Sequence, residues 1–168
     1  NKLIIYDGEF VVNSGNGELL GKSLKSDGNI FINNGKFELV SNDDCIHTNK
    51  SFMINKGFVN VTSLDDGIHS DDSIIINDGI IYIDALGDGI DGNGSVIINN
   101  GKIYIDGNAN DGNSVIAYDI DFFVNGGSVI AVYSGKMKQE ISDKLKLYSI
   151  SFDLEKAYNG EMKLLDKN

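Results

Sequence analysis

The chain has 168 residues, enough for one domain with a continuous core, and 41% of them are hydrophobic, which excludes a disordered acidic tail. It has 14 lysines, no arginine and a net charge of −11. We therefore expect no binding to nucleic acid or to anionic membrane surfaces, since both need clustered cations. No apolar run is long enough for membrane insertion, and the lone cysteine, Cys45, excludes an intrachain disulfide.

A short motif of an aliphatic residue, asparagine, a variable residue and glycine recurs along the chain. Four copies lie 22 residues apart, at residues 32–35, 54–57, 76–79 and 98–101, and a fifth, at residues 124–127, follows after 26. A weaker first copy occupies residues 5–8. Repeats of this length are typical of solenoids, in which each coil contacts only its neighbours.

Apolar residues within each repeat alternate as they do in strands. Ile30 and Ile32, then Phe37 and Leu39, point to one side, and Ile46 adds a third inward contact. Later repeats keep the same pattern. It predicts an all-β fold, a single-stranded parallel β-helix of about six 22-residue coils over residues 1–134. Residues 135–168, where the period disappears, are predicted to form a small strand-rich C-terminal cap of the same structural domain.

One asparagine per coil occupies the same turn position. We interpret these asparagines as a structural ladder in which side-chain amides bond along the solenoid. The glycine two residues later fits a turn position with positive φ. The ladder consists of Asn33, Asn55, Asn77, Asn99 and Asn125.

Acidic residues of successive coils fall into columns when the 22-residue period is folded. Asp44, Asp66 and Asp88 form one column, and Asp43 and Asp65 form its neighbour. Carboxylates one coil apart repel by roughly 3–4 kcal/mol at an effective dielectric near 20. Raised pKa values, solvent screening or bound cations would each compensate, and a solvated column of turn-capping aspartates is the alternative to a metal site. Clustered carboxylate, amide and carbonyl oxygens favour several Ca²⁺ ions.

The predicted calcium ligands also include adjoining turn positions and a loop whose oxygens are spaced as at the start of a calcium-binding loop. His47 and His69, in the adjoining column, are expected to hydrogen-bond rather than to bind metal. Lys22 is expected to neutralise Asp44. The complete predicted metal set is Asp43, Asp44, Asp65, Asp66, Asp71, Asp88, Asp91, Asn93, Asp106, Asn108, Asn110 and Asp111.

Two columns point outward by alternation and are candidates for binding. Tyr82 and Tyr104 lie on adjacent coils near Asn60 and Lys102, and these four residues form the predicted carbohydrate-binding set, with an exposed structural pair of tyrosines as the alternative. The second column is apolar, and a cap, a partner or self-association is expected to cover it, although it could also be a sugar-binding strip. It contains Phe31, Met53, Ile75, Ile97 and Phe123.

The run DDGIHSD at residues 65–71 and the run NGGSVIA at residues 125–131, interleaved with the asparagine-glycine motif, resemble a family of secreted bacterial carbohydrate-binding β-helix proteins. The resemblance covers nearly the whole chain. It implies a right-handed parallel β-helix similar in fold to calcium-dependent pectate lyases, with calcium along the turns. It also implies binding of plant cell-wall polysaccharides such as cellulose or pectin, outside the cell or at the bacterial cell surface.

We therefore predict a non-catalytic, calcium-stabilised polysaccharide-binding module. The first alternative is a calcium-dependent pectate lyase. Such an enzyme needs a base, usually Lys or Arg, whereas only Lys22 and Lys25 lie on the acidic columns, in the first coil. The second alternative is an adhesive or structural surface solenoid without affinity for glycans.

Overall fold

The computed structural model describes residues 1–107 and 112–132, and these residues form β-strands joined by turns. The predicted C-terminal cap at residues 135–168 lies outside the described residues. No helix long and apolar enough to cross a membrane occurs in the described ranges. In chain order the strands are β1 (Lys2–Ile5), β2 (Glu9–Ser14), β3 (Leu24–Ser26), β4 (Asn29–Ile32), β5 (Lys36–Ser41), β6 (Ile46–Thr48), β7 (Phe52–Ile54), β8 (Phe58–Ser63), β9 (Ile68–Ser70), β10 (Ile74–Ile76), β11 (Ile80–Ala85), β12 (Ile90–Gly92), β13 (Ser95–Ile98), β14 (Lys102–Asp106), β15 (Ile116–Tyr118), β16 (Asp121–Val124) and β17 (Ser128–Val132).

Equivalent strands of successive coils pair in parallel and build three sheets. Sheet 1 contains β1, β4, β7, β10, β13 and β16; sheet 2 contains β2, β5, β8, β11, β14 and β17; sheet 3 contains β3, β6, β9, β12 and β15. The register follows the repeat, so that Ile74 pairs with Phe52 in the previous coil and with Val96 in the next. Five complete coils and a partial sixth result within the described residues, which confirms the predicted parallel β-helix.

The core is a continuous apolar column enclosed by the three sheets. Each strand points alternate residues inward, so sheet 1 contributes Ile30 and Ile32 and sheet 2 contributes Phe37 and Leu39, as predicted. A fully buried side chain of this size contributes about 2–3 kcal/mol relative to an exposed one. The largest fully buried side chains are Phe37, Phe52, Ile30, Ile32, Leu39, Ile46, Ile54, Ile68, Ile74, Ile76, Ile81 and Ile90.

The predicted asparagine ladder is present at the turn after sheet 1. Each Nδ2 donates to Oδ1 of the asparagine one coil earlier, at 2.9 Å from Asn55 to Asn33 and at 2.8 Å from Asn77 to Asn55. The same 2.8 Å bond continues from Asn99 to Asn77 and from Asn125 to Asn99. These amides hold the turns in register although they lie near the surface.

Glycine is required two residues after the ladder asparagine, for two physical reasons. Gly79 has a φ of 125°, a backbone conformation that other residues rarely adopt. A Cβ at this position would also lie only 2.8 Å from the carbonyl oxygen of Gly57 in the previous coil. The close approach of successive turns therefore depends on glycine, as the motif predicted.

The outward apolar column lies on sheet 1, where Phe31 pairs with Met53 and Ile75 pairs with Ile97. These side chains are half-buried rather than fully exposed, because neighbouring coils pack against their flanks. The column continues to Phe123 on β16. Self-association through this column stays a prediction.

We predict that Asn77→Ala lowers the free energy of unfolding by about 1–2 kcal/mol, because it removes two side-chain hydrogen bonds from the ladder. Urea unfolding followed by circular dichroism measures the change. Lys56→Ala, in the preceding turn and exposed, is the control and should leave stability nearly unchanged. Equal stability of the Asn77 variant and the control would contradict a structural role for the ladder.

Candidate functional site

The aspartate column after sheet 2 is held together by hydrogen bonds between carboxylates and backbone amides. The amide of Asp66 donates to Asp44 Oδ1 at 3.3 Å, and the amide of Asp88 donates to Asp66 Oδ1 at 2.7 Å. The amide of Ser114 donates to Asp88 Oδ1. Each carboxylate thus satisfies a backbone donor of the next coil, a structural role that is compatible with, and independent of, metal binding.

A lysine neutralises the start of this acidic region. Lys22 Nζ lies 2.6 Å from Asp43 Oδ1 and 2.9 Å from Asp44 Oδ2, which confirms the predicted pairing of Lys22 with Asp44. Burial opposes the charge on Lys22, but the hydrogen bonds to the two carboxylates outweigh it and raise the lysine's pKa. Burial likewise opposes ionisation of Asp44, yet His47 and Lys22 hold the pKa of Asp44 below its usual value. His47 Nδ1 lies 2.6 Å from Asp44 Oδ2.

A histidine occupies the centre of the acidic region one coil further on. His69 Nδ1 lies 2.8 Å from Asp91 Oδ2 and 3.5 Å from Asp66 Oδ2, and Nε2 lies 3.1 Å from Asp71 Oδ1. Interactions with Asp66 and Asp91, with a smaller contribution from Asp71, raise the pKa of His69 to about 10 against the opposing effect of burial. An imidazolium is therefore the counterion of three carboxylates at neutral pH. The expected hydrogen bonding of the histidines to aspartates is confirmed.

Two aspartates remain at an energetic disadvantage when ionised. Burial raises the pKa of Asp65, and the charges of Asp66, Asp44 and Asp43 add to the effect. Burial also raises the pKa of Asp88 to about 6, although its hydrogen bond from Ser114 acts in the opposite direction. A further cation would therefore lower the free energy of the ionised state most at Asp65 and Asp88.

Among the described residues, side chains that could bind a metal converge in three groups, each with donor atoms within 4.8 Å of one another. One consists of Asp43, Asp44 and Asp65 and offers only oxygen; the others include His69, with Asp66 and Asp91 or with His47 and Asp71. Asp88 belongs to the hydrogen-bonded column, whereas Asn93 is exposed in the turn after β12.

Of the four predicted ligands in the calcium-binding loop, only Asp106 lies within the described residues. Asp106 ends β14 and pairs with Asp84 on the outward face of sheet 2, away from the Asp66–Asp88 column. Asn108, Asn110 and Asp111 lie outside the described residues. The spacing of oxygen ligands in the sequence did not predict this position, because Asp106 is the last residue of strand β14 and not part of a loop.

A second candidate site lies on the outward face of sheet 2. Asn60, Tyr82 and Tyr104 are register partners on β8, β11 and β14, so the structure brings together three of the predicted carbohydrate-binding residues. The rings of Tyr82 and Tyr104 are stacked, with centroids 4.8 Å apart and an interplanar angle of 9°. Lys102 lies on the same strand, two residues before Tyr104, and faces the same side. Asn60 Nδ2 donates to Glu38 Oε2 at 2.8 Å.

A shallow groove, the tyrosine groove, runs beside the stacked rings. Its wall contains Asp84, a residue absent from the sequence-based set. Strand alternation could have found it, since Asp84 follows Tyr82 by two residues as Asp106 follows Tyr104. The residues lining the groove are Asn60, Tyr82, Ile83, Asp84, Tyr104, Ile105, Asp106, Ile130 and Val132, of which Ile83 and Ile105 point their side chains into the core.

Comparison with protein families bears on the function of the chain. The family model described as "Carbohydrate-binding domain-containing protein" matches residues 1–67 and 56–138, most of the chain and nearly all of the described β-helix. The chain belongs to this family. No curated protein and no solved structure is significantly similar to the chain. Membership in the family supports a carbohydrate-binding domain, in agreement with the function predicted from the sequence.

We predict that His69→Gln lowers the free energy of unfolding by about 2 kcal/mol near pH 6.5, measured by urea unfolding in EDTA. The folded-state pKa of His69, about 10, lies above its ordinary value of 6.5, so its stabilisation is complete below pH 6.5 and is lost as pH rises towards 10. The difference between wild type and variant should therefore shrink across this range. A difference independent of pH would contradict the imidazolium as counterion.

Proposed function

We propose that the protein is a non-catalytic module that binds plant cell-wall polysaccharide, outside the cell or at the bacterial cell surface, through the outward face of sheet 2. The observation that carries the proposal is the pair of stacked tyrosines, Tyr82 and Tyr104, beside a groove on a chain that belongs to a carbohydrate-binding family. Aromatic side chains combined with a few polar groups are typical of ligand-binding surfaces.

The arrangement of the two rings indicates how they would meet a sugar. Because Tyr82 and Tyr104 stack on each other, one face of each ring is covered by its neighbour. The ring centroids of Phe58 and Tyr82 are 5.8 Å apart. The ring edges and hydroxyl groups therefore face the groove more readily than the ring faces do. Within the described residues neither hydroxyl has a protein hydrogen-bond partner, so both are available to sugar hydroxyls. Tyr82 is 41% exposed.

Polar residues at both ends of the strands extend the surface. Lys102 lies before Tyr104 and Asp106 after it on β14, all on the outward face. A polysaccharide chain running along this strand would meet a cation, an aromatic edge and a carboxylate in succession. Asn60 lines the same groove from the previous coil. Such a surface orders an extended ligand by several weak contacts rather than by one deep pocket.

We predict that Tyr104→Ala weakens binding to insoluble cell-wall polysaccharide about tenfold, which corresponds to about 1.4 kcal/mol. The measurement is a depletion isotherm with regenerated cellulose and with insoluble pectin. Tyr104→Phe keeps the ring stack and removes only the hydroxyl, so it separates hydrogen bonding from ring contact. Tyr6→Ala, at an exposed position in the turn after β1 and outside sheet 2, is the matched control and should bind like wild type. Undiminished binding of Tyr104→Ala would contradict the location of the site.

We also propose that Ca²⁺ stabilises the β-helix at the acidic turns. The group formed by Asp43, Asp44 and Asp65 fits the ion, because it offers three carboxylates with donor atoms within 4.8 Å and Ca²⁺ prefers oxygen ligands. Lys22 already contacts two of these carboxylates, so an ion there would have to displace its ammonium group. Asp65 and Asp88 gain most from a cation because burial disfavours their charged forms.

We predict that millimolar Ca²⁺ raises the melting temperature relative to EDTA, because an ion bound only by the folded state stabilises it. Asp88→Asn tests where the effect originates. In EDTA at pH 7 this variant should be more stable than wild type by about 2 kcal/mol, since the pKa of Asp88, about 6, lies above the ordinary 3.8 and ionisation costs stability as pH rises through it.

In millimolar Ca²⁺ the wild type should be more stable than Asp88→Asn if Asp88 helps to bind the ion. Asp7→Asn, an exposed substitution in the first turn with the same change in charge, is the control and should respond to Ca²⁺ like wild type. Equal melting temperatures of the wild type in Ca²⁺ and in EDTA would contradict calcium stabilisation.

The absence of catalysis is part of the proposal. A lyase of the predicted alternative type needs a neutral lysine or arginine as base. Lys22 is bound to Asp43 and Asp44, and its raised pKa keeps it protonated at neutral pH. Lys25 Nζ donates to Asn49 Oδ1. Neither lysine is therefore well suited to abstract a proton from a uronate.

A further inference from the structure

The tyrosine groove carries two carboxylates, and none of its described lining residues is a cation. Asp84 and Asp106 are register partners on β11 and β14, each two residues beyond a stacked tyrosine on the same outward face. We infer that this groove selects uncharged polysaccharide over polymers of uronic acid. The inference rests on the proposed function and specifies the substrate class of its site.

The two carboxylates are suited to hydrogen-bond with a neutral sugar. Adjacent strands lie about 4.8 Å apart, so Asp84 and Asp106 present a double row of acceptors beside the tyrosine edges. Both side chains are exposed, and within the described ranges neither has a hydrogen bond or an ion pair with protein. Ionised carboxylates accept hydrogen bonds only, and every unsubstituted sugar residue offers several hydroxyl donors. The hydroxyl groups of Tyr82 and Tyr104, from the preceding outward positions of the same strands, can both donate and accept.

A uronate in the same position would place its own carboxylate close to these two. The repulsion between like charges at this separation, screened by solvent, disfavours binding by about tenfold for one uronate. The net charge of −11 acts in the same direction at longer range and is reduced by salt. Local and global electrostatics therefore agree.

A second groove, which includes Ile80, offers an alternative site where charged polymers could bind. This lysine groove is lined by Lys56 and Lys102 together with Asp78, so it carries two cations and one anion. Uronate polymers would bind there if the protein selected them. The lysine groove lies at the beginning of β11 and β14 and the tyrosine groove at their end. The two grooves make opposite predictions for charged ligands, which allows a direct experimental choice.

The test uses the full chain and two soluble polymers, hydroxyethyl cellulose and polygalacturonate, in affinity electrophoresis and biolayer interferometry. We expect binding to hydroxyethyl cellulose and at least tenfold weaker binding to polygalacturonate in EDTA and low salt. The double variant Asp84→Asn/Asp106→Asn should reduce this ratio by raising affinity for polygalacturonate. The control Asp7→Asn/Asp27→Asn has the same change in net charge at exposed positions far from the groove and should keep the wild-type ratio.

Other outcomes overturn the inference. Equal or tighter binding of polygalacturonate, lost in Lys102→Gln, would assign recognition to the lysine groove. Polygalacturonate binding that requires Ca²⁺ and is lost in Asp84→Asn/Asp106→Asn would mean that the two carboxylates hold a bridging ion. If the ratio of affinities for the two polymers changes equally in the double variant and the control, Asp84 and Asp106 do not determine specificity. Binding of neither polymer would overturn the proposed function itself, whereas the preceding results leave carbohydrate binding intact.

Discussion

The hydrogen bonds between parallel strands of successive coils determine nearly everything else in this molecule. They place each residue beside the equivalent residue of the next coil, about 4.8 Å away, so any property of one position is repeated in a column. Apolar columns such as Ile54, Ile76 and Ile98 form the core. Amide columns bond to themselves, as the asparagines do. Only charged columns cannot be satisfied by repetition.

The acidic columns are stabilised by several different interactions rather than by one. The carboxylates of Asp44 and Asp66 accept hydrogen bonds from backbone amides of the following coil. Lys22 neutralises Asp44 from the coil before it, and His69 supplies a cation in the coil after it. These interactions offset part of the repulsion between carboxylates that the sequence predicts. What remains falls mainly on Asp65 and Asp88, and a divalent ion would have its largest effect on stability there.

The sequence predicted what depends on the backbone period and left open what depends on side-chain direction. Coil register, the core side of each strand and the asparagine ladder all follow from the repeat, and the structure has them. The repeat alone does not predict that three carboxylates contact His69. Asp66 and Asp71 belong to the coil of His69, whereas Asp91 belongs to the next coil. Asp106 was grouped with a loop, yet its position is determined by strand β14. Strand alternation places Asp84 beside Tyr82 on the outward face, but only the structure shows that a groove forms there.

The asparagine ladder has a direction, because every Nδ2 points to the preceding coil and every Oδ1 to the following one. An amide cannot be turned over alone, since that would set donor against donor on one side and acceptor against acceptor on the other. The orientation chosen by one turn therefore constrains the next throughout the row, and the aligned amide dipoles polarise one another. The solenoid thus carries a vector along its axis that distinguishes one end chemically from the other.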